Sequence, residues 1–273
     1  MYHNRPHVED IRRMKRDGEK ISMLFVTTPD EAHAASAAGI HMLSIEGRYF
    51  DAAMREAAGD CFVQVGLPYG GWGRFEGRAL ATAEDYLRAA FHYASLGGDA
   101  FYCAASYEIQ KTLCDNHVPV VGHIGLIPSY ISWTGWRAVG KSAEEALALW
   151  RHTQKLEEIG VFAAELEVVP DRVAKHLAEN SSLVMLGMGA GPYADAQYLF
   201  TEDVCGYGRN HRPRHGKVYR DFAPEFERLQ NERIAAFREF KADVDAGGYP
   251  AAEHSVAIAD EELDAFLAAA KER

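Results

Sequence analysis

Between Pro119 and Pro170 two short apolar segments flank one amphipathic segment, and that pattern restricts the chain more than any other feature. Val118, Val120 and Val121 are β-branched and bounded by polar residues, which favours a short buried strand. Ser142 followed by Glu145 reads as a capping box. Ala146, Leu149, Trp150, Thr153 and Leu156 then recur at helical spacing on one face. Gly160 ends the helix by supplying a left-handed residue. The run from Val161 to Val169 is a second strand, apolar except for Glu165 and Glu167, and Pro170 stops it. Strand, helix and strand in this order form a βαβ unit, which requires a parallel pair.

The same alternation runs through the rest of the chain. A short helix is expected over residues 7–17, closed by Gly18, and strands at Ile21–Val26, Ile40–Ile45, Cys61–Val65 and Ala100–Ala104. Helices are expected at Asp30–Ala38, at Ala52–Ala58, from Thr82 to Gly97, and from Tyr107 to Cys114. After the organising unit come a helix at Asp171–Glu179 and strands at Leu183–Leu186 and Tyr198–Phe200. Eight strand–helix repeats in about 250 residues predict a (β/α)8 TIM barrel. Helices over residues 225–245 and from about Asp260 extend it, so residues 1–273 read as one barrel domain with a C-terminal helical extension from about 222. Phe226, Leu229, Ile234 and Phe237, then Leu263, Phe266 and Leu267, give these helices apolar stripes, suited to covering the domain's own core or another protomer.

Charge and cysteine usage exclude several function classes. A net charge of −11 and a pI near 5.5 argue against a nucleic-acid or anionic-membrane surface. No apolar run reaches the length of a membrane span, and Met1–Pro6 has no apolar signal region. Cys61, Cys103, Cys114 and Cys205 are scattered without a CxxC pair, as expected of reduced thiols in a cytoplasmic protein rather than a zinc site.

The groups able to do chemistry fall at strand ends. His123 follows the fifth strand and Glu167 ends the sixth, positions that lie at the C-terminal mouth of a barrel, where barrel enzymes react their substrates. Glu165 shares a strand side with Glu167, and a salt-bridged or solvated pair is the competing reading. The glycine-rich loop Gly66–Gly73 lacks the Lys-Ser/Thr of a phosphate loop and does not fit GxGxxG. The basic stretch Gly208–Lys217 is conspicuous in an acidic chain. It reads as a solvated loop, with His211 and His215 on it, or as a lid meeting an anionic substrate or a neighbouring subunit.

Gly122-His123-Ile124-Gly125-Leu126-Ile127-Pro128, Leu166-Glu167-Val168-Val169-Pro170 and Gly187-Met188-Gly189-Ala190-Gly191-Pro192 together resemble the ketopantoate (3-methyl-2-oxobutanoate) hydroxymethyltransferase family, within the phosphoenolpyruvate mutase/isocitrate lyase superfamily. Gly140-Lys141, Leu156–Gly160, Gln197, Asp203 and the segment from Met14 to Leu24 add to the likeness, which extends to about residue 222. It implies an enzyme that transfers a hydroxymethyl group from methylenetetrahydrofolate to the carbon beside the ketone of a branched 2-oxo acid, through an enolate, with Mg²⁺ polarising the carbonyl. It implies Glu167 as the base, His123 as a substrate contact, Tyr102, Gly66, Thr27 and Gly189 as substrate-binding positions, and a homo-oligomer. In the metal half the chain departs from the family. Gly47 pairs with the expected aspartate after the second strand unless a one-residue slip lets Glu46 serve. Gly66 replaces the second aspartate, and Tyr102 and Ala104 replace a lysine and a glutamate, so Glu46 is the one remaining metal ligand candidate. The departure leaves open a metal-poor or metal-free lyase or aldolase on another 2-oxo acid, or a barrel that binds a metabolite without catalysis.

Overall fold

The structure is a computed structural model and describes residues 5–69, 73–208 and 212–271. Gly70–Trp72 of the glycine-rich loop and His211 of the basic stretch lie outside the described residues. The chain forms two compact units, Met1–Arg220 and Asp221–Arg273.

The first unit is a closed barrel of eight parallel strands in sequence order. Its strands are β1 (Ile21–Phe25), β2 (Met42–Glu46), β3 (Phe62–Gly66), β4 (Ala100–Tyr102), β5 (Val120–Gly125), β6 (Ala163–Glu167), β7 (Val184–Met188) and β8 (Ala196–Phe200). Its helices are α1 (Val8–Asp17), α2 (Pro29–Ala37), α3 (Ala52–Ala57), α4 (Ala83–Ser95), α5 (Tyr107–Asp115), α6 (Ile131–Thr134), α7 (Ala143–Glu158), α8 (Asp171–Glu179) and α9 (Thr201–Val204). The second unit holds α10 (Ala223–Ala246) and α11 (Asp260–Ala270), none of whose residues is buried.

Several caps follow directly from the sequence. Thr28 accepts the Glu31 N–H while Glu31 Oε2 accepts the Thr28 N–H, closing a capping box on α2. On α7, Ser142 accepts the Glu145 N–H at 3.1 Å, but the Glu145 carboxylate reaches past the cap to the N–H groups of Gly140 and Lys141. That carboxylate therefore fixes the chain entering α7 as well as its first turn.

Regular alternation fails once: no helix joins β7 to β8. The register explains how seven residues, 189–195, suffice. Leu186 pairs with Ala196 and Gly187 with Gln197, so β8 starts level with the middle of β7. The return is then short, in place of the dozen or more residues a parallel crossover usually takes.

Two cores result. One fills the space between the barrel wall and its helices, with Leu43, Ile45, Val63, Val65, Leu113, Leu156 and Leu166 among its members. The other fills the lumen. Ile11 of α1 packs there with Ile21, Phe62, Phe162 and Val184, residues at or just before the first residues of their strands. Helix α1 thereby plugs the N-terminal end and leaves chemistry to the C-terminal mouth. Lys15 fastens the plug, donating to the carbonyls of Ala178 and Leu183 and pairing with Asp195 at 2.8 Å.

Candidate active site

The side chains pointing inward along the strands change character towards the mouth. Met42, Phe62 and Val184 lie low; Ser44, Gln64, His123, Glu165 and Tyr198 follow; Glu46, Gly66, Tyr102 and Glu167 surround the opening. A cavity of about 430 Å³ sits over this polar layer, with Phe25, Phe200, Pro128 and Trp136 supplying much of its apolar wall. Parallel pairing sets the key neighbours: His123 lies beside Glu165, and Gly125 beside Glu167.

His123 is the centre of the arrangement. Its Nε2 lies 2.8 Å from the Leu126 carbonyl and 3.3 Å from Glu167 Oε2. Its Nδ1 lies 2.8 Å from the Tyr102 hydroxyl and 3.6 Å from Glu165 Oε2. Burial opposes charge on this ring. The hydrogen bond to Glu167 and the fields of Glu165 and Glu167 outweigh it, so the pKa of His123 is raised above the ordinary imidazole value. From behind, His152 holds the strand through a 2.8 Å contact between its Nε2 and the His123 carbonyl. Burial lowers the pKa of His152, which keeps that ring neutral with its Nε2 proton on the carbonyl.

Glu165 is buried in the lumen, so the solvated reading of this carboxylate does not hold. Gln64 Nε2 donates to its Oε1 at 2.7 Å and to Ser44 Oγ at 3.1 Å. Desolvation pushes the Glu165 pKa up to about 7, against the lowering effects of His123 and Gln64. This has a signed consequence for stability. Between about pH 4.5 and about pH 7 the native protein keeps a proton that the unfolded chain releases, so stability falls as pH rises through that window. Glu165→Gln removes this contribution. Urea melts across the window are expected to show the variant gaining on the wild type with rising pH, and a pH-independent difference would contradict the assignment.

Glu167 ends β6 and its backbone is clamped. Its carbonyl accepts the Leu126 N–H at 2.9 Å, and the next residue donates to the Met188 carbonyl at 2.8 Å. That next residue, Val168, has φ of 50°, a left-handed conformation that a β-branched side chain rarely adopts. Strain of this kind costs roughly 1–3 kcal/mol and persists only where neighbours impose it.

Three hydroxyls surround the carboxylates. Tyr69 and Tyr102 meet edge-on with ring centroids 5.3 Å apart. Burial raises the pKa of Tyr69 to about 12 and raises those of Tyr102 and Tyr198 well above the ordinary phenol value, so all three remain proton donors.

The expected site residues divide. His123, Glu167, Tyr102, Gly66 and Glu46 line one cavity. Thr27 lies off it, its N–H and hydroxyl both held by Glu31. Gly189 also lies off it, beneath His215, whose ring would meet a Cβ at Gly189 at 2.6 Å. His215 is half-buried within the fields of Glu167 and Asp203, and burial lowers its pKa. Ser44, Gln64, Tyr69 and Tyr198 escaped sequence reasoning. A polar residue midway along an otherwise apolar strand, as Gln64 is in Phe62–Val65, was the available signal.

The described residues do not fit the magnesium ion that the family likeness implies. Arg48 grips Glu46 with two in-plane N–H groups of its guanidinium, Nε to Oε2 at 2.6 Å and Nη2 to Oε1 at 3.2 Å. Gly66 offers no side chain, and the Tyr102 hydroxyl is bonded to His123. Among the described residues no three His, Cys, Asp or Glu side chains are placed to share an ion.

The sequence profile of ketopantoate hydroxymethyltransferase matches residues 45–252. The chain belongs to the ketopantoate hydroxymethyltransferase family. Within that family, 3-methyl-2-oxobutanoate hydroxymethyltransferase 2 of Hahella chejuensis is 31% identical over 211 residues, covering 77% of this chain and 75% of that protein. The 3-methyl-2-oxobutanoate hydroxymethyltransferase of Thermotoga maritima is 28% identical over 271 residues, covering 91% of this chain and 96% of that one. Among solved structures, a putative phosphonomutase from Burkholderia cenocepacia superposes with a TM-score of 0.51 at 11% identity, over 85% of this chain and all of that one, a likeness of fold. Membership of the ketopantoate hydroxymethyltransferase family makes this chain a hydroxymethyltransferase-like enzyme. Among the described residues no helix is long and apolar enough to cross a membrane.

Proposed function

We propose that the barrel mouth abstracts the proton beside the ketone of a small 2-oxo acid and makes or breaks a carbon–carbon bond there. The observation that carries this reading is Glu167, a carboxylate clamped at a strand end above the cavity with an imidazole 3.3 Å away. In the forward direction Glu167 takes the α-proton and the C–H electron pair becomes an enolate. Water releases the methylene carbon of the folate donor as formaldehyde, its two protons passing to the two nitrogens as both C–N bonds break. The enolate carbon then bonds to the formaldehyde carbon, and the resulting alkoxide takes the proton from Glu167. 3-Methyl-2-oxobutanoate, the acid in the names of the relatives, is the first substrate to test, and methylenetetrahydrofolate is the donor the family suggests. The flat faces of Phe25, Phe200 and Trp136 at the rim suit a fused-ring donor. No step here is assigned to a metal, because the side chains do not fit one. Self-association is proposed for the second unit, whose α10 and α11 leave Phe226, Leu229, Phe237, Phe266 and Leu267 exposed.

The test is deuterium exchange followed by NMR. The protein is incubated in D₂O with 3-methyl-2-oxobutanoate and a panel of 2-oxo acids, with Mg²⁺ and again with a chelator. Loss of the α-proton signal at equal rates in both conditions is expected. No exchange on any acid would overturn the reading, and exchange only with Mg²⁺ would show that an ion binds despite the ligand set.

A further inference from the structure

Stabilising an enolate oxygen without an ion requires a preorganised donor aimed at it. The cavity offers one whose direction is set by a buried group with no role in the reaction so far. His123 Nε2 faces the Leu126 carbonyl at 2.8 Å, and a carbonyl can only accept, so that nitrogen always carries its proton. The variable proton is therefore the one on Nδ1. When Nδ1 is bare, the Tyr102 hydroxyl donates to it across 2.8 Å and its proton is turned away from the cavity. When Nδ1 is protonated, it donates to the Tyr102 oxygen, and the hydroxyl proton must rotate outward, to the cavity side where the Tyr69 hydroxyl also bonds Tyr102. Tyr102 ends β4 beside Gly66, which has no side chain to fill the space in front of it.

Glu165 Oε2 lies 3.6 Å from Nδ1, too far for a hydrogen bond but close enough for its field to favour the protonated nitrogen. Gln64 pins the other oxygen at 2.7 Å, so the carboxylate cannot swing away. We propose that Glu165 is a positioning residue of this centre: by favouring the Nδ1 proton of His123 it turns the Tyr102 hydroxyl into the cavity, where that hydroxyl donates to the ketone oxygen of the 2-oxo acid. The raised pKa of His123, to which Glu165 contributes, acts in the same direction. Protein dipoles thereby take the place of a Lewis acid. The inference rests on the enolate chemistry proposed above and adds to it a tyrosine as oxyanion donor and a carboxylate that orients it.

Glu165→Gln keeps the side-chain volume and an acceptor for Gln64 while removing the charge. Three readouts test the inference. In ¹⁵N-histidine spectra at about pH 8, where Glu165 is ionised, the His123 signals, identified with His123→Gln, are expected to change from a doubly protonated ring to the neutral Nε2–H tautomer. Tyr102→Phe is expected to slow α-proton exchange by about 10²–10³-fold, the usual loss for one oxyanion donor. Glu165→Gln should lose much of the same rate, and the double variant should be no slower than Tyr102→Phe alone, since one residue acts through the other. Glu165→Asp, which retains the charge, is expected to restore the doubly protonated ring and guards against a misfolded glutamine variant. Unchanged His123 signals in Glu165→Gln, or losses that simply multiply in the double variant, would overturn the inference and leave the proposed function standing. Absence of exchange in the wild type would overturn the proposed function, and the oxyanion role of Tyr102 with it.

Discussion

Glu167→Gln is expected to slow α-proton exchange on a 2-oxo acid by ~10²–10⁴-fold, the range that positioned general bases contribute. The substitution keeps size and shape, and the backbone beneath the side chain is held by the Leu126 and Met188 hydrogen bonds, so the amide occupies the same place. What is lost is the carboxylate oxygen that takes the α-proton. The change falls on the rate and not on substrate affinity if Glu167 touches only the departing proton, so kcat falls while KM moves little. Single-turnover exchange with saturating acid measures this directly. A loss below about ten-fold would transfer the base role elsewhere, with Glu165 the next candidate because it lies one strand repeat deeper on the same side of β6. His123 would respond too, since its hydrogen bond to Glu167 helps to raise its pKa. Monitoring the ring in parallel separates loss of the base from a change in its neighbour.

How far the sequence carried depended on what kind of information each feature needs. The barrel was legible because βαβ periodicity is local: Ser142, the Leu149–Leu156 face, Gly160 and the valine-rich run each act within a few residues. Between β7 and β8 the glycine-rich Gly187–Pro192 offered no helical segment, and none forms; the register shift across the sheet that permits the short return was not legible. Glu167 was legible as a strand-end group; His123, read as following the fifth strand, instead lies inside β5 one layer below the mouth, because that strand runs on to Gly125, and the family likeness suggested roles for both. The fate of Glu46 was not legible, since its pairing with Arg48 depends on how the 3₁₀ turn after β2 folds back. The polar lumen was half-legible. Alternation puts Glu165 and Glu167 on one side, but only closure of the barrel brings Gln64 of β3 against Glu165 of β6. Contacts across the lumen join strands about a hundred residues apart, and no local pattern encodes them.

Gly125→Ala is expected to be among the most damaging single-methyl additions in the chain. Gly125 has φ of 101°, and an added Cβ would lie 2.2 Å from the Glu167 carbonyl oxygen and 2.7 Å from Val169 Cγ2. The first partner is backbone, clamped by the Leu126 N–H, so it cannot swing aside as a flexible side chain would. Backbone strain of roughly 1–3 kcal/mol and overpacking of a similar size combine to about 2–6 kcal/mol. Gly18 provides the internal control. Its φ of 72° is also left-handed, but nothing lies within 4 Å of the added atom. Gly18→Ala therefore carries the conformational cost alone, roughly 1–2 kcal/mol. Denaturant melts of the two variants separate strain from collision. If they lose equal stability, the β5–β6 contact yields and the close approach at Gly125 has no energetic role. If Gly125→Ala loses far more, relief of the collision must move the Glu167 carbonyl, and α-proton exchange should fall in the fraction that remains folded. The second glycine of Gly122-His123-Ile124-Gly125 then lets β5 run close enough to β6 for one imidazole to lie within reach of carboxylates in two successive layers of the barrel.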